Sequence, residues 1–161
     1  MRIRSPSPSD RGQLIDILSQ GAGFRSEEVA CAIELLDAAL EASDEQRDGY
    51  EARVAVEDDD GALVLGYACF GATPMTAAAY DLYWLVVGEA TRGRGIGAAL
   101  VDAVGAELKQ RGGRVIRVET SSLEGQGGAR RFYEKTGFKL AGAIPDFYRD
   151  GDDLLVFAKV L

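Results

Sequence analysis

The sequence predicts one mixed α/β domain, and three observations carry that expectation. The chain has 161 residues, the length of a single domain and enough to bury most of its core surface. Alternating and helical hydrophobic periodicities follow one another in the order β-α-α-β-β-β-α-β-α-β-β. No linker, repeat or low-complexity tract interrupts that order, so the domain is taken as residues 1–161.

RIR at residues 2–4 predicts a short first strand, which SPSPSD breaks. Asp10 with Gln13 resembles a capping box, and Leu14, Ile15, Ile17 and Leu18 give a short amphipathic helix. After the loop GAGF, SEEVACAIELLDAALEA predicts a second helix, with Ser26 as its cap and Glu27 and Glu28 in the first turn, where the helix dipole favours negative charge. Val29, Ile33, Leu36 and Leu40 form its apolar face. ASDEQRDG is a polar connection. EARVAVE and ALVLGYACFGA flank a turn at Asp58, Asp59, Asp60 and Gly61 and predict an antiparallel hairpin.

TPMTAAA is expected as a loop. AYDLYWLVV, residues 79–87, is aromatic and β-branched and predicts a strand; simple alternation puts Asp81, Tyr83 and Leu85 on one face and Tyr80, Leu82 and Trp84 on the other. From Gly95 onward Ile96, Leu100, Ala103, Val104 and Leu108 keep helical spacing until Gly112 and Gly113. RVIRVETS is a further strand and ARRFYEKT a short helix ending at Gly137. FKLAGAI and DLLVFAKVL are the last two strands, joined by a loop PDFYRDGD.

Composition narrows the chemistry. The chain has no histidine, which excludes a histidine-based triad and argues against zinc or haem, so no metal site is expected. Proton transfer must use carboxylates, tyrosines, lysines or water. A net charge of -8 disfavours nucleic acid as a partner. No run of eighteen apolar residues is present to span a membrane, and MRIRSPSPSD lacks the apolar stretch of a secretory signal, so a cytoplasmic protein is expected. Two cysteines make no disulfide framework; Cys31 and Cys69 are expected as small buried hydrophobes. A monomer and a homodimer both fit the sequence.

ATRGRGIGAALV, residues 90–101, places glycines and arginines in front of a helical pattern. A helix N-terminus has unpaired N–H groups and partial positive charge, glycines let backbone approach a phosphate, and Arg92 and Arg94 add forked donors. A pyrophosphate is the anion such a loop suits. Gly93, Gly95 and Ala98 formally match the dinucleotide fingerprint GxGxxA, with Glu119 where a ribose-binding acid would stand. Against that reading, GEATR separates Val87 from Gly93, about ninety residues precede the loop, and too little chain follows to complete a parallel sheet.

The alternative pattern is Arg92-x-x-Gly95-x-Gly97 with FYEKTGF downstream. In these two stretches the sequence resembles the GNAT acetyltransferase superfamily, which holds acetyl-CoA through an R/Q-x-x-G-x-G/A loop and whose next helix commonly carries FYxxxGF. The order of elements also resembles the family's, over nearly the whole chain. The resemblance implies a mostly antiparallel mixed sheet of six to seven strands, helices on both faces, and a splay between the fourth and fifth strands.

It also implies roles. Arg92, Gly93, Arg94, Gly95, Ile96, Gly97 and Ala98 match the pyrophosphate loop. Leu85, Val86 and Val87 match the strand end whose backbone pairs with the pantetheine arm. Gln126 stands near the place of an asparagine that binds that arm, in a loop of longer register. Tyr133 matches the tyrosine near the coenzyme's sulfur, where a protonated phenol can assist a leaving thiolate.

The implied reaction is direct acetyl transfer to a primary amine: a peptide N-terminus, a lysine or a small-molecule amine. The amine must be neutral to attack. At pH 7 that costs a lysine about 4.6 kcal/mol and an α-amino group of pKa near 8 about 1.4 kcal/mol. Asp81 falls where several protein-acetylating members carry a glutamate or tyrosine; it is either the base or a solvated strand-start charge. Glu119 is the second acid, and its alternative is a solvated strand end. Tyr83, Trp84, Phe147 and Tyr148 divide between core and substrate contact; Tyr83 and Tyr148 are assigned to substrate, Tyr148 because PDFYRDGDD is similar to a tyrosine-containing groove loop of the family's N-terminal acetyltransferases. A non-catalytic acyl-CoA-binding module would share the loop without needing Tyr133 or an acid, and a longer acyl donor is also open.

Overall fold

Residues Val64–Ala72, VLGYACFGA, carry no charge, and they form the most deeply buried strand of a seven-stranded sheet. The structure is a computed structural model that describes residues 1–20, 24–41, 49–57, 63–123 and 128–161. The strands are β1 (Arg2–Arg4), β2 (Tyr50–Val56), β3 (Val64–Ala72), β4 (Ala79–Val87), β5 (Val115–Ser121), β6 (Lys139–Arg149) and β7 (Asp152–Val160). The helices are α1 (Arg11–Gln20), α2 (Ser26–Glu41), α3 (Ile96–Gln110) and α4 (Gly128–Lys135). The sheet order is β1-β2-β3-β4-β5-β7-β6, antiparallel throughout except for β4 and β5.

The sheet separates two apolar layers. On one face Leu100, Val104 and Leu108 of α3 pack on Phe70, Leu82, Ile116 and Phe157. On the other, Leu14 and Leu18 of α1 and Ala32 and Leu36 of α2 pack on Val54, Tyr67 and Cys69. Each fully buried leucine contributes about 1.5–3 kcal/mol of transfer free energy. Among the described residues no helix is long and apolar enough to cross a membrane.

One rung pattern shapes everything that follows. β4 and β5 pair in parallel only at Ala79–Val115, Tyr80–Ile116 and Asp81–Arg117. Beyond Asp81 they part, which leaves the inner edge of β4 from Leu82 to Val87 without a strand partner. Backbone N–H and C=O groups along that edge need partners of another kind.

Four local expectations are corrected. The capping box joins Ser7 to Asp10, not Asp10 to Gln13, and Asp10 is drawn there by an ion pair with Arg4 at 2.7 Å. At α2 the side chain of Glu28 accepts the Arg25 N–H at 2.8 Å, while the Ser26 hydroxyl points to Glu27. Cys69 is buried as expected, but Cys31 is exposed because Ala32 and Leu36 take the inward face of α2. PDFYR is strand, not loop: β6 continues to Arg149, with a register shift between Ile144 and Arg149 that absorbs the residues unpaired with β7. The acidic turn at 58–61 and Gln126 lie outside the described residues.

Candidate active site

The glycine loop follows a short 3-10 turn, Glu89–Thr91, at the end of β4. Gly93 and Gly95 have φ of 80° and 78°, left-handed values that cost a side-chain-bearing residue about 1–2 kcal/mol. Those two turns reverse the chain so that α3 starts at Ile96, with the Ala99 N–H bonded to Gly95 O as its first internal bond. The N–H groups of Ile96, Gly97 and Ala98 precede that bond and lie free at the positive end of the helix dipole. At Gly97 a Cβ would come within 3.1 Å of the Phe132 ring, so the helix start is pressed onto α4. Arg92 lines the adjoining cleft; Arg94 sits 3.3 Å from Glu57.

The cleft has a volume of about 790 Å³ and occupies the gap where β4 and β5 part. Its inner wall is Leu85, Val86 and Val87 on one side and Val118, Phe132 and Tyr133 on the other. These features fit coenzyme A: left-handed glycines and free N–H groups suit its pyrophosphate, and the unpaired β4 edge suits the amides of its pantetheine arm.

Tyr133 is buried among aromatic rings, with Phe138 at 5.3 Å and Phe157 at 5.8 Å between centroids, and it lines the cleft. Burial pushes its pKa up to about 12, so it remains a proton donor throughout the neutral range.

The end of the cleft around Asp81 and Glu119 is polar and aromatic. A β-bulge decides which side chains of β4 reach it. Cys69 pairs with Trp84 and Phe70 with Leu82, so Tyr83 is the extra residue. The simple alternation therefore fails: Leu85 joins Leu82 and Tyr80 in the α3 layer, while Tyr83 and Trp84 both turn to the α1–α2 side. Tyr83 stacks edge-on against Tyr50 at 5.1 Å, and Trp84 against Phe24 at 5.3 Å.

Asp81 is buried and already engaged. Its Oδ1 accepts from Arg117 Nε at 2.6 Å and its Oδ2 from the Thr73 hydroxyl at 2.9 Å. Glu119 is different: its side chain is 45% exposed, and its contact with Arg117 is 3.5 Å long. The other acids of the mouth have their own arginines, Glu28 with Arg25 at 3.6 Å and Asp152 with Arg149 at 3.4 Å. Of these four carboxylates Glu119 is the one whose arginine is shared, since Arg117 also pairs with Asp81. Tyr148 lines the same mouth; burial first, then the charges of Glu119, Asp152 and Glu28, push its pKa up.

Arg117 and Thr73 were not singled out by sequence, whereas Asp152, with Asp150 and Asp153, reads there as an acidic loop that fits a cationic amine or a solvated turn equally. Arg117 carried a visible signal, since RVIRVETS sets Arg117 and Glu119 on the face opposite Ile116 and Val118. Thr73 carried none. Asp152 accepts from the Ser121 hydroxyl, a contact between residues 31 apart in sequence.

The comparisons with known proteins agree with this geometry. Residues 48–140 match the family model described as an acetyltransferase (GNAT) domain. A crystal structure of a putative GNAT acetyltransferase from Desulfovibrio desulfuricans is 35% identical, covers 99% of this chain and 98% of its own, and superposes with a TM-score of 0.88. An aminoglycoside 6'-acetyltransferase type Ii is 25% identical over 99% and 97% of the two chains, with a TM-score of 0.79. The PaiA N-acetyltransferase of Thermoplasma acidophilum, solved in complex with coenzyme A, shares the fold at 21% identity, 99% and 98% coverage and a TM-score of 0.74. No curated protein matches the sequence. The family match, the split sheet and the glycine loop meet on one cleft: the chain belongs to the GNAT acetyltransferases, enzymes whose acyl donor is acetyl-CoA.

Proposed function

We propose that this enzyme acetylates a cationic primary amine by direct transfer, with Glu119 receiving the amine's proton and Tyr133 supplying one to the leaving sulfur. The observation that carries the reading is that Glu119 and Tyr133 line one cleft, opened by the parting of β4 and β5.

Acetyl-CoA, when bound, supplies a thioester acetyl group. Arg92 and the backbone N–H groups of Gly93, Arg94, Gly95, Ile96, Gly97 and Ala98 hold the pyrophosphate, and Leu85, Val86 and Val87 hold the pantetheine amides, with Gln126 as a further donor. A backbone N–H near Val87 polarises the carbonyl. Glu119 takes the ammonium proton, directly or through one water. Asp81 contributes by fixing Arg117, since both its oxygens are occupied. Tyr83 and Tyr148 contact the acceptor. No side chain is assigned as a covalent nucleophile.

The half-exposed carboxylate of Glu119, which shares Arg117 with Asp81, favours a positively charged acceptor. The similar aminoglycoside 6'-acetyltransferase supports the same class, since aminoglycosides are polycationic amines. The test is acetyl-CoA binding by calorimetry together with thiol release against a panel of a lysine peptide, a peptide N-terminus, a polyamine and an aminoglycoside. Amine-dependent release that falls in Tyr133→Phe without loss of binding is expected. Binding with no turnover on any amine would assign a non-catalytic acyl-CoA-binding module instead, and no binding would return the loop to the dinucleotide reading.

A further inference from the structure

Asp146 has a φ of 52°, and with Met75 it is one of two left-handed non-glycine residues among those described. Aspartate tolerates that conformation better than most residues, because its short polar side chain bonds locally. Here the Asp146 Oδ1 accepts the Gly151 N–H at 2.7 Å, and the Asp146 N–H donates to Asp153 Oδ1 at 3.0 Å.

The left-handed residue sits where β6 leaves register with β7. An unbroken ladder from Ile144–Leu154 would set Asp146 against Asp152; Arg149 stands there instead, so β6 carries three extra residues. Pro145, Asp146, Phe147 and Tyr148 lie opposite the single residue Asp153. Backbone without ladder partners must be held by other bonds. Those bonds lead back to the strand that carries Glu119. At the end of β5 the Ser121 hydroxyl bonds to Asp152, and the next hydroxyl, of Ser122, accepts the Asp153 N–H at 2.8 Å. Asp152 in turn meets Arg149 at 3.4 Å, as Asp153 meets Asp146. Tyr148 is thus bracketed by Asp146 on one side and Arg149 on the other. Tyr148, Arg149 and Asp152 line the cleft, and Asp146 does not.

We propose that Asp146 is a positioning residue for the acceptor: it fixes the β6 bulge and so sets Tyr148 at the mouth, without touching the amine. This rests on the reading that Tyr148 contacts the acceptor.

Initial-rate kinetics of the full chain tests it, with a lysine peptide, a peptide N-terminus, a polyamine and an aminoglycoside as acceptors and thermal melts as a check of the fold. Asp146→Ala should raise the amine KM at least about tenfold while kcat and the acetyl-CoA KM stay within about twofold, the split expected when acceptor binding alone is weakened. Asp146→Asn tolerates the same φ and keeps an oxygen for the Gly151 N–H, so it should recover to within about threefold of the wild type. Asp146→Gly adopts the φ freely but lacks that oxygen; it should fold and still raise the amine KM about fivefold or more. Tyr148→Ala should raise the amine KM too, and adding Asp146→Ala to it should change that KM by no more than about twofold, because the two act through one contact.

A wild type that turns over none of the four amines, or an unchanged amine KM in Tyr148→Ala, would place the fault in the underlying reading and remove the proposal with it. A raised KM in Tyr148→Ala beside a normal KM in both Asp146→Ala and Asp146→Gly would overturn the proposal alone. So would multiplicative losses in the double variant, or a loss that falls on kcat and not on the amine KM.

Discussion

Arg117 Nε donates to Asp81 Oδ1 at 2.6 Å across the last rung that β4 and β5 share. Past that ion pair the strands part and the cleft begins. The pair is therefore a hinge pin at the narrow end of the active site. Thr73 holds the second oxygen of Asp81 from the β3–β4 connection.

Asp81 and Glu119 should separate in kinetics. Glu119→Gln is expected to lower kcat/KM by about 10²-fold with little change in melting temperature, as loss of a positioned base does. Asp81→Asn should instead destabilise the fold by about 1–3 kcal/mol, because a charged hydrogen bond at a buried site is weakened. Steady-state kinetics beside denaturant titration checks both. Equal catalytic losses with unchanged stability in the two variants would return the base role to Asp81.

Tyr133 makes a pH prediction. Burial raises its pKa to about 12, so its proton is retained well past pH 10, where a tyrosine in water is half ionised. The rate with a saturating amine should show no decline centred near pH 10. Tyr133→Phe should lower kcat about 10–100-fold while keeping the ring packed on Phe138 and Phe157. The stability tied to the retained proton is full below pH 10 and is lost as pH rises through about 12.

Asp10 governs part of the acid limb of stability. The Arg4 guanidinium, with help from the Ser7 backbone and hydroxyl, holds the Asp10 carboxyl down at about 2 in the folded chain. The unfolded value is near 3.9. The stabilisation is present above about pH 4 and disappears as pH falls towards 2, and it amounts to about 2 kcal/mol. Asp10→Asn should lose about that much at pH 7 and flatten the stability profile between pH 4 and 2, measured by urea unfolding.

Tyr67 tests the α1–α2 layer. Its ring is fully buried, and its hydroxyl is the buried side-chain atom among the described residues with no hydrogen-bond partner. A buried unpaired hydroxyl costs about 1–3 kcal/mol. Tyr67→Phe should therefore hold or raise the melting temperature, and a clear fall would reveal a partner for that hydroxyl.

Much of the fold was legible because it rests on local pattern. The apolar spacing of Leu100, Val104 and Leu108 needs a helix, and the uncharged run at Val64–Ala72 needs burial on both faces. RGRGIG likewise announced a glycine turn into a helix, because left-handed glycines and a helix start are properties of neighbours in sequence. The Tyr83 bulge was illegible, since it arises from how β4 meets β3, and one extra residue inverted the assignment of Leu85.

The sequence by itself determined the alternation of strands and helices, the absence of histidine chemistry and the position of the glycine loop before α3, since each depends on composition or on residues a few positions apart. Only the tertiary structure decided the fate of the acids. Asp81 and Glu119 look alike in sequence, each an acid within a strand. One meets Arg117 Nε and Thr73 and is buried; the other shares the same guanidinium at 3.5 Å and faces the cleft. The difference is set by partners brought in from β5 and the β3–β4 connection, and a carboxylate's chemistry depends on the charges and donors within a few ångströms of it.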